Sequence, residues 1–173
     1  MAAGVGMMDW SWTELQALSV KAATGAGVPP AQALAFGAML ARHLADGGGE
    51  GPIANALDAP HTILRLAHRV EEMVETASIN QRSVSVREPD SGHRALLVSW
   101  LSGLPCQADI TVSGHEITAQ LTLAAPSSRS RPTRIEVSGA LATQLKGLAA
   151  RTYVPDSATS RASGAGAGLM ELD

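Results

Sequence analysis

The segment Ala108-Asp109-Ile110-Thr111-Val112-Ser113-Gly114-His115-Glu116-Ile117-Thr118-Ala119-Gln120-Leu121 reads as a β-hairpin whose register is explicit. Pairing Ser113 with Glu116 across a two-residue turn sets Val112 opposite Ile117, Ile110 opposite Ala119 and Ala108 opposite Leu121, all on one face. The other face then carries Asp109, Thr111, Thr118, Gln120 and Thr122, which makes a sheet with one buried and one wet side. No row of catalytic residues runs along it.

Upstream of the hairpin the periodicity is helical. Ser11 is placed as an N-cap with Glu14 in capping-box position, so a first helix runs to about Thr24 with Leu15, Leu18 and Ala22 on one face, ending at Gly25 and Gly27. Val28-Pro29-Pro30 forms a stiff corner. A second helix follows from about Pro30 to Ala45, apolar on nearly all sides through Leu34, Phe36, Met39, Leu40 and Leu44. Two short-linked helices of this kind pack antiparallel. After the loop Asp46 to Gly51, a short helical turn is expected within Pro52 to Asp58. From His61 to Ala77, apolar residues recur at steps of three and four, the strongest helical pattern in the chain.

The period then changes to two. Val84 and Val86 mark a strand, Glu88-Pro89-Asp90-Ser91-Gly92 a turn, and Arg94 to Ser102, apolar on both faces around Trp100, a central strand covered on each side. Beyond the hairpin and the loop Pro126 to Pro132, a strand near Ile135 and Val137 precedes a helix over 140–151 with Leu141, Leu145 and Leu148 on one stripe. The expectation is one α+β domain over residues 1–155: a helical layer to about residue 77, a mostly antiparallel sheet of about five strands over 82–138, a last helix and an extended arm. Residues 156–173 read as a C-terminal tail.

Composition narrows the classes of function. A chain of 173 residues has room for about one compact domain. Its aromatic residues are Trp10, Trp12, Phe36, Trp100 and Tyr153, so the core is built of Ala, Leu, Val and Ile. The single cysteine, Cys106, permits no intrachain disulfide and argues against a cysteine-built metal site; it reads as a small buried core residue. Neither a signal segment at Met1 to Asp9 nor a run of about 20 apolar residues is present, so a soluble cytoplasmic protein is expected, with no membrane partner. The net charge of −3 divides as −4 over residues 1–80 and +3 over residues 81–155, too small a bias for a nucleic-acid footprint.

Few residues present themselves for chemistry. Histidines 43, 61, 68, 93 and 115 lie at no metal-ligand spacing, so no metal is expected. The seven residues between His61 and His68 make about 10 Å of helix rise, too far for one ion. His68 instead meets Glu71 or Glu72 as an exposed pair. Neither a Gly-x-Ser-x-Gly elbow nor a His-Glu-x-x-His motif occurs, and the run Gly164 to Gly168 follows no strand and opens no helix, so no cofactor is expected. Arg129, Arg131 and Arg134 form the densest positive cluster and are candidate anion binders in what is otherwise a solvated loop. Arg151, Tyr153, Arg94 and His43 are candidates for binding a small acidic ligand, because Arg pairs with an acidic ligand and Tyr can act as donor or proton relay. Trp10 and Trp12 read as a staple covering one end of the core.

Two stretches, Trp12-Thr13-Glu14-Leu15 through Lys21-Ala22-Ala23-Thr24-Gly25-Ala26-Gly27 and Arg151-Thr152-Tyr153-Val154-Pro155 through Gly164-Ala165-Gly166-Ala167-Gly168, resemble a bacterial family of unknown function. That resemblance brackets the chain and implies no assigned activity, cofactor or catalytic residue. The first helix pair, with Ala26-Gly27-Val28-Pro29 at its corner, is also similar to the opening of the non-Rossmann malate and lactate dehydrogenases, but nothing downstream resembles their cofactor or catalytic motifs. The leading expectation is a non-catalytic assembly or accessory module in metabolism, acting as a homo-oligomer or with a metabolic protein partner. It rests on the apolar second helix, the two-faced segment around Trp100 and the C-terminal arm. The alternative is a small-molecule binding protein or enzyme with a pocket between helices and sheet.

Overall fold

Capping chemistry decides where the helices begin. In the computed structural model, which describes residues 6–80 and 83–152, Ser11 accepts the Glu14 N–H while Glu14 accepts the Ser11 N–H, closing the capping box that opens helix α1 (Trp12–Gly25). Pro30 at the first position of α2 (Pro30–Ala45) fixes a helical φ where no N–H is needed. Helices α3 (Glu50–Asp58) and α4 (Pro60–Asn80) follow, with Ile63, Leu66, Val70 and Met73 on the buried stripe of α4. No helix among the described residues is long and apolar enough to cross a membrane.

The hairpin has the register that its alternation predicts. Strands β3 (Cys106–Ser113) and β4 (Glu116–Pro126) pair antiparallel with Val112 opposite Ile117, Ile110 opposite Ala119 and Ala108 opposite Leu121. Gly114 in the turn takes φ +58°, a conformation that residues with a Cβ avoid. Strand β2 (Val84–Arg87) joins the other edge of β4, giving the order β2-β4-β3.

Two expectations are corrected. The segment Arg94 to Ser102 is not a central strand but most of helix α5 (Ser91–Ser102). Asp90 caps it by accepting the His93 N–H, and Leu96, Leu97, Trp100 and Leu101 are buried at helical spacing. The helix packs against both α2 and the sheet, and its consecutive apolar residues from Ala95 to Val98 and at Trp100 and Leu101 imitate a two-sided strand. Nor do the strands make one five-stranded sheet. Strand β5 (Ile135–Ser138) leaves the meander to pair with β1 (Met7–Trp10), four residues too short to show a period and more than a hundred positions from their partner in the sequence. The α+β class holds.

Helix α6 (Gly139–Ala149), capped by Ser138, packs on α1 and runs into a 3-10 turn at Ala150–Thr152. Phe36 and Trp100 meet edge to face at 6.4 Å between ring centroids, joining α2 to α5 in the core. Two motives for self-assembly are thereby met within the chain: α2 is covered by α1, α4 and α5, and Trp100 lies in the core. The third, the arm from Tyr153 onward, falls outside the described residues.

Candidate functional site

A stripe of α5 that carries no large apolar side chain forms the floor of a cleft. Ser91, Arg94, Ala95, Val98, Ser99 and Ser102 recur at steps of three and four, while the opposite stripe of Leu96, Leu97, Trp100 and Leu101 goes to the core. Walls are supplied by the end of α2 through His43, by Asp46 and Gly48 of the following loop, by Val112 of β3 and by Arg129 of the β4–β5 loop. The cleft is a groove open to solvent with a volume of about 620 Å³.

His43 is 2% exposed and fully partnered. Its Nε2 lies 2.9 Å from the Gly49 carbonyl oxygen and its Nδ1 2.8 Å from Ser99 Oγ. A carbonyl only accepts, so Nε2 carries the hydrogen and Nδ1 accepts from the Ser99 hydroxyl. A nucleophile and its base would share this arrangement, but Ser99 sits in the last turn of α5, where the helix dipole opposes negative charge on its oxygen. The pair therefore acts as a brace between α2, α5 and the glycine loop. Gly48 packs on the imidazole so closely that a Cβ there would fall 2.4 Å from ring atoms.

Four arginines border this region. Arg42 grips Asp46 through Nε at 3.0 Å and through Nη2, and donates Nη1 to the Ser130 carbonyl at 2.8 Å. Arg129 donates to the same Asp46 at 2.9 Å, so one carboxylate serves two guanidinium groups. Arg94 donates to the backbone carbonyls of Glu88 at 2.7 Å and Pro89 at 3.2 Å, and Arg131 lies over the Trp12 ring at 5.3 Å. Neither Arg94 nor Arg131 has a carboxylate partner among the described residues.

The turn that holds Arg94 is itself anchored. Glu88, 3% exposed, accepts from Arg65 Nη1 at 2.8 Å, Arg69 Nη1 at 3.3 Å and the Asp90 N–H at 3.2 Å. Burial pushes the Glu88 carboxyl up, but the Arg65 hydrogen bond, the Asp90 N–H and the charges of Arg65 and Arg69 together outweigh it and hold the pKa below the ordinary glutamate value. Arg65 Nη2 also donates to His93 Nδ1 at 2.7 Å.

Of the candidates read from the sequence, His43, Arg94 and Arg129 come together in the cleft. Arg131 lines an adjoining cavity with Trp12 and Arg42, and Arg134 lines a separate one with Glu50 and Glu136. The three loop arginines therefore do not act on one spot. Arg151 lies in the 3-10 turn beside Gly25 and does not line the cleft. Tyr153 lies outside the described residues, as do Val154, Pro155 and the Gly164 to Gly168 run. Among the described residues no three His, Cys, Asp or Glu side chains group to hold a metal ion. His68 pairs with Glu72 at 3.2 Å on the exposed side of α4, and Cys106 is buried.

Asp46, Ser99 and Glu88 were not legible as site residues, since each gains its role only when the partner segments fold together. Comparison of the chain with models of known families, with curated proteins and with solved structures finds no match.

Proposed function

We propose that the protein binds a small acidic molecule in the cleft over α5, between the helices and the hairpin sheet. The observation that carries this reading is Arg94, a residue of the cleft wall whose charge is unmatched by any carboxylate among the described residues. Two backbone carbonyls hold it in place, so a ligand carboxylate or phosphate meets a pre-oriented donor and supplies the missing countercharge. Arg129 shares Asp46 with Arg42 and offers a second, half-compensated cation across the cleft. Ala95, Val98 and Val112 give the ligand body apolar contact.

The test is thermal unfolding against a panel of monocarboxylates and phosphate monoesters with their neutral amides or alcohols as controls. Saturation at one hundred times Kd stabilises by about 2.7 kcal/mol, a rise in Tm of roughly 5–10 °C for a chain of this size. Acids should give this shift and neutral controls should not, and Arg94→Gln should abolish it. Equal response to acids and neutral controls, or none to either at millimolar concentration, refutes the reading.

A further inference from the structure

The hairpin sheet has one edge that the fold leaves open, and the ladder tells which groups face it. The Glu88 N–H donates to the His115 carbonyl at 2.8 Å, so backbone groups of odd-numbered residues along β4 face β2 and those of even-numbered residues face β3. Thr118 and Gln120 therefore exchange hydrogen bonds with Thr111 and Asp109, and the N–H and C=O groups of Ala108, Ile110 and Val112 point away from the sheet. These outward groups have no hydrogen-bond partner among the described residues. The opposite edge is better protected: β2 is four residues long, and its outward Arg87 carbonyl accepts from Arg69 at 2.7 Å. Strand β3 presents eight residues without a Pro or Lys to block pairing, and its one irregularity lies at the far end, between Cys106 and Gln107. Its apolar side is also incompletely covered. Val112 is 50% exposed and Ile110 partly exposed, whereas their ladder partners Ile117 and Ala119 are buried.

We propose that this edge pairs with the same edge of a second copy of the chain, antiparallel, about a two-fold axis at Ile110. The strand is self-complementary in that register. An axis at Asp109 would set two carboxylates face to face, an axis at Ala108 would run into the irregularity at Cys106, and an axis at Thr111 would run Ala108 against the turn at Gly114. The axis at Ile110 uses residues 107–113 and satisfies every outward group of Ala108, Ile110 and Val112. It stacks Ile110 on its own copy and sets Ala108 opposite Val112 on the apolar side. On the wet side Asp109, the one charged residue of β3, meets the hydroxyl of Thr111. One strip of ladder is a small interface, so the dimer is weak, with Kd on the order of 0.1 mM. The pairing is independent of acid binding at Arg94.

The experiment follows sedimentation and amide hydrogen exchange of the full chain from about 10 µM to about 1 mM, either side of that Kd. At the upper concentration about four chains in five are paired, so the amides of Ala108, Ile110 and Val112 should exchange about fivefold more slowly than at the lower one. The outward Ser85 amide of β2 should keep its rate. Thr111 is exposed, so its substitution leaves the hairpin intact, with Tm of the dilute chain as the check. Thr111→Lys sets an ammonium opposite Asp109 of the second copy and should tighten association about fivefold, and Thr111→Asp should weaken it by a similar factor. A chain that stays monomeric to about 1 mM overturns self-pairing and leaves the edge to another strand, from residues 153–173 or from a different protein. A dimer that ignores both Thr111 variants, or that protects amides away from β3, forms through another surface and equally overturns it.

Discussion

Replacing Glu88 by Gln tests how the functional arginine is held. Glu88 is almost fully buried and its carboxylate accepts from Arg65, Arg69 and the Asp90 N–H, in the turn whose carbonyls position Arg94. Glutamine fills the same volume but removes the charge and turns an NH₂ group toward donors. Hydrogen bonds to a charged group contribute about 1.5–3 kcal/mol each, and breaking a buried ion pair costs about 3–5 kcal/mol. Here the arginine side chains are 39% and 29% exposed and can rehydrate, so the loss is about 2–3 kcal/mol, or roughly 6–10 °C in Tm.

The pH dependence follows from linkage. A carboxyl whose pKa is lower in the folded state contributes stability that is fully present above the unfolded value of about 4.3 and is lost as pH falls through the folded value. Urea unfolding at pH 7 should therefore give the full parent-minus-variant difference, and a series down to pH 3 should show it shrinking below about pH 4. A variant within about 0.5 kcal/mol of the parent at pH 7, or a difference constant down to pH 3, refutes the reasoning.

Other substitutions separate brace, core and ligand contact. Gly48→Ala drives a Cβ into the His43 ring and should destabilise by about 1–3 kcal/mol in urea, a loss that His43→Ala in the same chain should partly relieve in a double-mutant cycle. Phe36→Ala removes the core partner of Trp100 and should cost about 3–5 kcal/mol with the urea slope unchanged. Arg94→Gln loses contacts to two carbonyls and a long one of 3.4 Å to His115 Nδ1 at a partly exposed site, so thermal unfolding without ligand should shift by no more than about 3 °C.

What the sequence disclosed depended on the range of the interaction that fixes each element. The capping box at Ser11 and Glu14 is local, and the hairpin register is set by a two-residue turn and strict alternation, so both are readable in place. Helix α5 was misread because Ala95, Leu97 and Leu101 alternate with Leu96, Val98 and Trp100 along it and imitate a two-sided strand, although Asp90 as a cap and the polar stripe of Ser91, Ser99 and Ser102 carried the helical signal. Strand β1 had no local signal, since its pairing with β5 is purely long-range. The same division runs through the site. Arg94, Arg129 and His43 stand out as residue types, whereas the sharing of Asp46 between Arg42 and Arg129 joins positions more than eighty residues apart and exists only in the fold.

The most direct test of acid binding over α5 is a heteronuclear amide-shift titration of the labelled full chain with octanoate. The account predicts dose-dependent shifts concentrated on Arg94 to Ser102, on Gly48 and on the loop around Arg129, with octanamide leaving them in place. Shifts elsewhere, or the same shifts from the amide, would contradict it.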